Sequence, residues 1–209
     1  MPHQSNNGEQ ASVLSVLRAL RPDHHNVSYT EALQIAERQA NKLLNLSRLT
    51  EPPVPSELIT TMPTITVQHI KLVASGASFW DQRRRKWIIQ LSRSDAPCRN
   101  RFTLAHELKH IIDHGSQHLL YRGTRRTSAE AQAERVADYF AGCLLVPRRL
   151  LRRAWHNGIQ RTNDLAGLFH VSEHAICIRL KQTRLVFRPP CPPIADAINV
   201  PAQPKRRQR

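Results

Sequence analysis

Apolar positions along this chain follow a helical rhythm in some stretches and a strand rhythm in others, and the changes between them divide it. From Ser28 onward, Leu33, Ile35, Ala36, Ala40, Leu43 and Leu44 recur at helical spacing, with Ser28 or Thr30 as the N-cap. Pro52, Pro53 and Pro55 end that helix and lead to a short second one around 56–62. Ile, Val and Trp alternating with polar residues give strand character to 64–68, 70–74 and 86–91, with Ser75-Gly76 as a turn signal. These segments predict a small antiparallel sheet. Beyond it, Leu104, Ala105, Leu108, Ile111 and Ile112 form the apolar stripe of a helix docked on a core. Helical patterns follow at Ala129 to Leu145, Arg148 to Trp155, Asn163 to Phe169 and Ser172 to Thr183. The predicted class is α+β.

The polar face of the helix around residue 108 carries His106-Glu107-Leu108-Lys109-His110, an H-E-x-x-H arrangement. Two imidazoles one turn apart can bind the same ion, and the intervening carboxylate can act as general base on an attacking water. A third ligand is needed. The metzincin pattern would put a histidine at position 116 and a glycine at 113, but these are Ser116 and Asp113, which excludes that subclass. His114 lies one turn further along the same face. Three ligands on successive turns of one helix would spread over more than about 10 Å, so His114 suits the rim rather than the ion. In the segment from Ala129 to Leu145, Glu130, Glu134 and Asp138 follow at i, i+4 spacing on a face shared with the small Ala137 and Ala141. Small side chains there let two helix backbones approach, which makes Glu134 the best third ligand and Asp138 a support for a ligating histidine.

Arg101-Phe102-Thr103-Leu104-Ala105-His106-Glu107-Leu108, with His110, Glu134, Ala137, Phe140-Ala141 and Leu144-Leu145-Val146-Pro147, resembles the ImmA/IrrE family of metallopeptidases. The likeness extends over roughly residues 28 to 185 and takes in Pro52-Pro53-Val54-Pro55, Thr64 to Val67 and Lys86 to Gln90. It implies a zincin-like core in which His106, His110 and Glu134 bind zinc and Glu107 is the catalytic base. It also implies a narrow substrate, a helix-turn-helix transcriptional repressor whose cleavage switches on stress-response or mobile-element genes. Two positions depart from the pattern: Lys109 stands where relatives usually carry glycine, and Gln90 where many have asparagine.

Zinc is the expected ion, with manganese or iron able to use the same ligands. Tyr121, Tyr139, His114 and His118 are the candidates for stabilising an oxyanion, and the sequence does not choose among them. In zincin-like enzymes a strand beside the metal commonly receives an extended substrate by strand addition, and Lys86 to Leu91 is the candidate here.

Length sets a partition: a poorly ordered segment at 1–27 with a short helix at 11–20, a peptidase domain at 28–147, a helical extension at 148–187 and a disordered basic tail at 188–209. The chain carries 31 Lys and Arg against 16 Asp and Glu, a formal charge of +15, which favours nucleic acid or an acidic protein as partner. Arg83, Arg84, Arg85 and Lys86 form one basic run and the last five residues another. Asp164 to Ala175 has the cadence of a helix-turn-helix, with Ser172 capping its second helix. As a DNA reader it would use Arg148, Arg149, Arg152, Arg153, Arg179, Lys181 and Arg184; as a structural cap it would pack on the peptidase core. The alternative function is accordingly a non-catalytic, metal-containing DNA-binding regulator. Four cysteines without C-x-x-C spacing suggest free thiols, and no signal peptide or membrane span is evident, so a cytoplasmic protein is expected.

Overall fold

Two long helices, α4 (Pro97–Asp113) and α6 (Ala129–Leu145), pack against each other at the centre of the molecule. The computed structural model describes residues 12–22, 27–72 and 74–186. The expected tail at 188–209 and the first eleven residues lie outside them. Pro97 occupies the first turn of α4, where its missing N–H costs nothing. Leu108, Ile111 and Ile112 are completely buried on α4, each contributing about 1.5–3 kcal/mol through burial. Ser128 caps α6 by accepting from the Ala131 N–H at 3.1 Å. Behind α6 lies α2 (Tyr29–Leu46), capped by Ser28, whose hydroxyl accepts from Glu31 N–H at 3.2 Å.

A short first helix, α1 (Val13–Arg18), is bound into this body. Leu17 is fully buried, and Arg18 donates to the carbonyls of Ile111 at 2.8 Å and Ile112 at 3.3 Å, two of the orphan acceptors in the last turn of α4. A short α3 (Glu57–Thr60) then leads into the sheet.

The sheet has three strands, β1 (Ile65–Ile70), β2 (Gly76–Asp81) and β3 (Lys86–Ser92), in the order β1-β3-β2. It is mixed rather than antiparallel. β2 and β3 form the antiparallel hairpin, Trp80 facing Trp87, while β1 pairs with β3 in parallel, Ile65 facing Trp87. The strand expected at 70–74 is displaced to 76–81, across the glycine read as a turn. β3 is consequently central. With both its edges paired it cannot take up a further chain, which corrects the choice of Lys86 to Leu91 as the substrate-receiving strand; β2 is the edge that lies against α4.

Past α5 (Gln117–Leu120) and α6, the chain forms α7 (Arg148–His156), α8 (Thr162–Phe169) and α9 (Glu173–Gln182). α8 ends at His170 in the left-handed region, φ 53°, and Ser172 caps α9 by accepting from Ala175 N–H. One hydrophobic cluster extends from Leu14 to Leu180, so the segment at 28–147 and the C-terminal helices share a core. No helix among the described residues is long and apolar enough to cross a membrane.

Candidate metal centre

α4 presents His106 and His110 one turn apart, their Nε2 atoms 3.0 Å from each other. α6 brings in Glu134, with Oε2 3.2 Å from His106 Nε2 and Oε1 3.4 Å from His110 Nε2. A tetrahedral ion with ligand bonds of about 2.0–2.2 Å separates neighbouring ligand atoms by about 3.3–3.6 Å. Two imidazole nitrogens and a carboxylate already this close form a group that can hold a metal ion.

The surroundings fit that use. His106 turns its other nitrogen, Nδ1, to Asp138 Oδ1 at 2.9 Å, one turn beyond Glu134 on α6. This is the outer carboxylate that fixes the ring orientation of a ligating histidine. Burial opposes a charged His106, but hydrogen bonds and charge from Asp138 and Glu134 outweigh it and raise its pKa to about 9. The Glu134 carboxyl is held far below the usual range, first by hydrogen bonds from His106 and His110. Glu134 is thus ionised, the form a metal needs, whereas the proton that His106 holds at neutral pH would have to leave for the ring to ligate an ion.

Glu107, next to His106, is only 8% exposed. Its Oε2 accepts a hydrogen bond from Ser78 Oγ of β2 at 2.6 Å. Gly76, two residues earlier in β2, lies so close to α4 that a Cβ there would stand 2.3 Å from Thr103 Cγ2 and 3.4 Å from Glu107 Oε1. Sequence reasoning missed Gly76 and Ser78. Their signal was small residues at i, i+2 ahead of the aromatic Trp80, which lets a strand lie tightly on a helix.

Other expected residues fall elsewhere. Tyr121 is buried and donates to Asp113 Oδ2, so its hydroxyl is committed inside the core. Tyr139 donates to Glu37 Oε2 of α2 at 2.9 Å, which likewise removes it from the centre. His114 ends α4 and packs edge-on against Trp87, ring centroids 4.7 Å apart, and His118 is exposed on α5. Among the described residues neither histidine belongs to the group that could hold an ion.

The basic residues are partly used up by the fold. Arg179 is 2% exposed: its Nε donates to the Val146 carbonyl at 3.2 Å, and its Cδ fills the space beside Gly142. A side chain so enclosed cannot reach a phosphate, which corrects its assignment as a nucleic-acid contact. Arg148 pairs with Glu37 at 3.6 Å, Arg149 donates to the Leu49 carbonyl, and Arg153 donates to Thr50 O and Glu51 Oε2. Arg152, Lys181 and Arg184 remain exposed.

An α+β core with H-E-x-x-H on α4 and a glutamate on α6 is that of a zincin-like, metallopeptidase-type fold. The sequence profile of Peptidase_M78, described as the IrrE N-terminal-like domain, matches residues 63–181, more than half of the chain, and the protein belongs to that family. Among solved structures, a Mycobacterium tuberculosis transcriptional regulator superposes with a TM-score of 0.50 at 18% identity, over 82% of this chain and 52% of that one. The likeness is one of fold, and this chain spans about half the length of that regulator. No curated protein matches.

Proposed function

We propose that the protein is a metal-dependent endopeptidase whose ion, zinc in the first instance, is held by His106, His110 and Glu134. The observation that carries this reading is the convergence of those three side chains, with ligand-atom separations of 3.0–3.4 Å, beside a buried glutamate. When bound, zinc supplies Lewis acidity, activating a water and polarising a carbonyl. Glu107 takes the proton of the attacking water and returns it to the leaving amine, with Ser78 holding its far oxygen in place. Asp138 keeps His106 oriented. With Tyr121 and Tyr139 bonded to Asp113 and Glu37, oxyanion stabilisation by this chain's own groups would come from other donors at the rim.

For substrate, the family supports a protein, and the resemblance to ImmA/IrrE peptidases points to a helix-turn-helix transcriptional repressor. Purified protein with zinc should cut a repressor encoded beside its gene at one defined bond. An absence of cutting by the wild type, or equal cutting by Glu107→Gln, rejects the reading. The rival, a non-catalytic DNA-binding regulator, is weakened by the enclosure of Arg179 and by the protein contacts of Arg148, Arg149 and Arg153. It retains Arg152, Lys181 and Arg184 and predicts salt-dependent duplex binding that survives Glu107→Gln.

A further inference from the structure

β2 pairs with β3 on one side and, among the described residues, has no backbone partner on the other. An open edge of this kind can accept an extended peptide as an added strand. Contacts with α4 fix where that edge lies relative to the centre: Gly76 abuts Thr103, and Ser78 bonds Glu107. Four residues of helix rise about 6 Å and two residues of strand about 6.6 Å, so β2 and α4 run in step and in the same direction. Trp80 therefore stands one turn beyond Glu107, at the level of His110.

Past Ser78 the edge changes character. Phe79 and Trp80 are 45% and 42% exposed, two of the few large apolar side chains left in solvent. Trp80 meets Trp87 edge-on at 5.5 Å, and Trp87 meets His114, so aromatic rings line the way from the strand edge to the end of α4. After Asp81 the strand enters a turn over residues 82–85 in which Arg83, Arg84 and Arg85 are exposed, as is Lys86 at the start of β3. Arg84 folds back on Asp81 at 3.8 Å; among the described residues the other three cations have no acidic partner. An aromatic platform followed by uncompensated positive charge, both continuous with an open strand edge, is a surface shaped for one kind of chain.

We propose that β2 and its hairpin turn select the substrate: an extended segment with an aromatic or large aliphatic side chain on Trp80, close to the cut bond, and acidic residues about three to five positions further out, facing Arg83 and Arg85, the turn cations that Asp81 does not pair. This rests on the peptidase reading for the meaning of the cut bond, but not for the binding itself. The occupant is an acidic peptide rather than a nucleic acid, because the charge begins where an open strand edge ends and lies within reach of a peptide paired to it.

The test uses full-length Glu107→Gln protein with zinc and fluorescein-labelled twelve-residue peptides followed by anisotropy, a length of roughly 40 Å when extended. The acidic-aromatic peptide should bind at least about tenfold more tightly than a version with Lys replacing Glu, and lose affinity as salt rises. Changing Arg83, Arg84 and Arg85 together to Glu, at exposed positions where folding can be verified by circular dichroism, should reverse that order. Trp80→Ala should abolish the preference for the aromatic. Equal binding of acidic and basic peptides, an order that survives charge reversal, or tighter binding of duplex DNA than of the acidic peptide by the same turn would overturn the proposal. The two readings separate cleanly. Binding of the acidic peptide while the repressor stays uncut by the wild type sinks the peptidase and leaves the surface, whereas cleavage of the repressor without acid preference in peptide binding sinks the surface alone.

Discussion

Lys109 donates to Asp113 Oδ1 at 2.6 Å, one turn along α4, with both side chains sealed from solvent. The same ammonium reaches Gln39 Oε1 on α2 at 2.9 Å, Gln39 in turn donates to the Leu17 carbonyl of α1, and Tyr121 donates to the other Asp113 oxygen. The residue that departs from the glycine of the resembled family is thus a cross-link among three helices, turned away from the two histidines. Burial lowers the Lys109 pKa, and Asp113 opposes that. Removing one partner leaves a buried charge uncompensated, so Lys109→Met should cost about 3–5 kcal/mol of stability in urea unfolding. Lys109→Met with Asp113→Asn should recover part of the loss. A single variant as stable as the wild type would show the pair to be dispensable.

Asp138 meets Nδ1 of His106, not the Nε2 that faces Glu134, so in the proposed metal centre it would act through the histidine rather than on the ion. Asp138→Asn keeps the shape but weakens the acceptor at Nδ1, and zinc affinity, read by competition with a chromogenic chelator, should fall about 10–100-fold. An unchanged affinity would mean that the histidine ring is oriented by packing alone.

At Gly76 the limit is steric. A Cβ at 2.3 Å from Thr103 Cγ2 forces strand and helix apart, so Gly76→Ala should destabilise by about 1–3 kcal/mol. Thr103→Ser removes the clashing methyl, and the double variant should regain most of the stability in thermal unfolding. Failure of that rescue would mean that the nearby Gln90 carbonyl, at 3.3 Å, is the real obstacle.

The convergence of His106, His110 and Glu134 was legible in the sequence because its geometry is local to two helices. His106 and His110 are set by helical pitch, and Glu134 stands out by its spacing to Asp138 and by the small residues beside it. β2 was not legible, since glycine disfavours strands on average, and only the approach of Thr103 makes Gly76 necessary. Strand alternation likewise does not encode sheet order, so the parallel pairing of β1 with β3 could not be read from it. Arg179 counts as a surface cation until Gly142 leaves room for its stem and the end of α6 offers it the Val146 carbonyl. The directions of the Tyr121 and Tyr139 hydroxyls depend on acceptors that helical or strand periodicity does not bring to them, Asp113 across a turn and Glu37 on a helix about a hundred residues earlier.

Ser78 offers the most direct test of how Glu107, the base of the proposed mechanism, is held. Its hydroxyl donates to Glu107 Oε2 from a different element, so it fixes the carboxylate without contacting the histidines. A hydrogen bond to a charged group is worth about 1.5–3 kcal/mol, and losing it while keeping the ion should lower turnover by roughly 10–100-fold. Ser78→Ala should therefore bind zinc with the stoichiometry of the wild type, unfold at nearly the same temperature and bind substrate with little change, while kcat falls. Ser78→Thr, which retains the donor, should restore much of the rate. Were zinc content lost together with activity in Ser78→Ala, the serine would be a support for the whole centre rather than for Glu107.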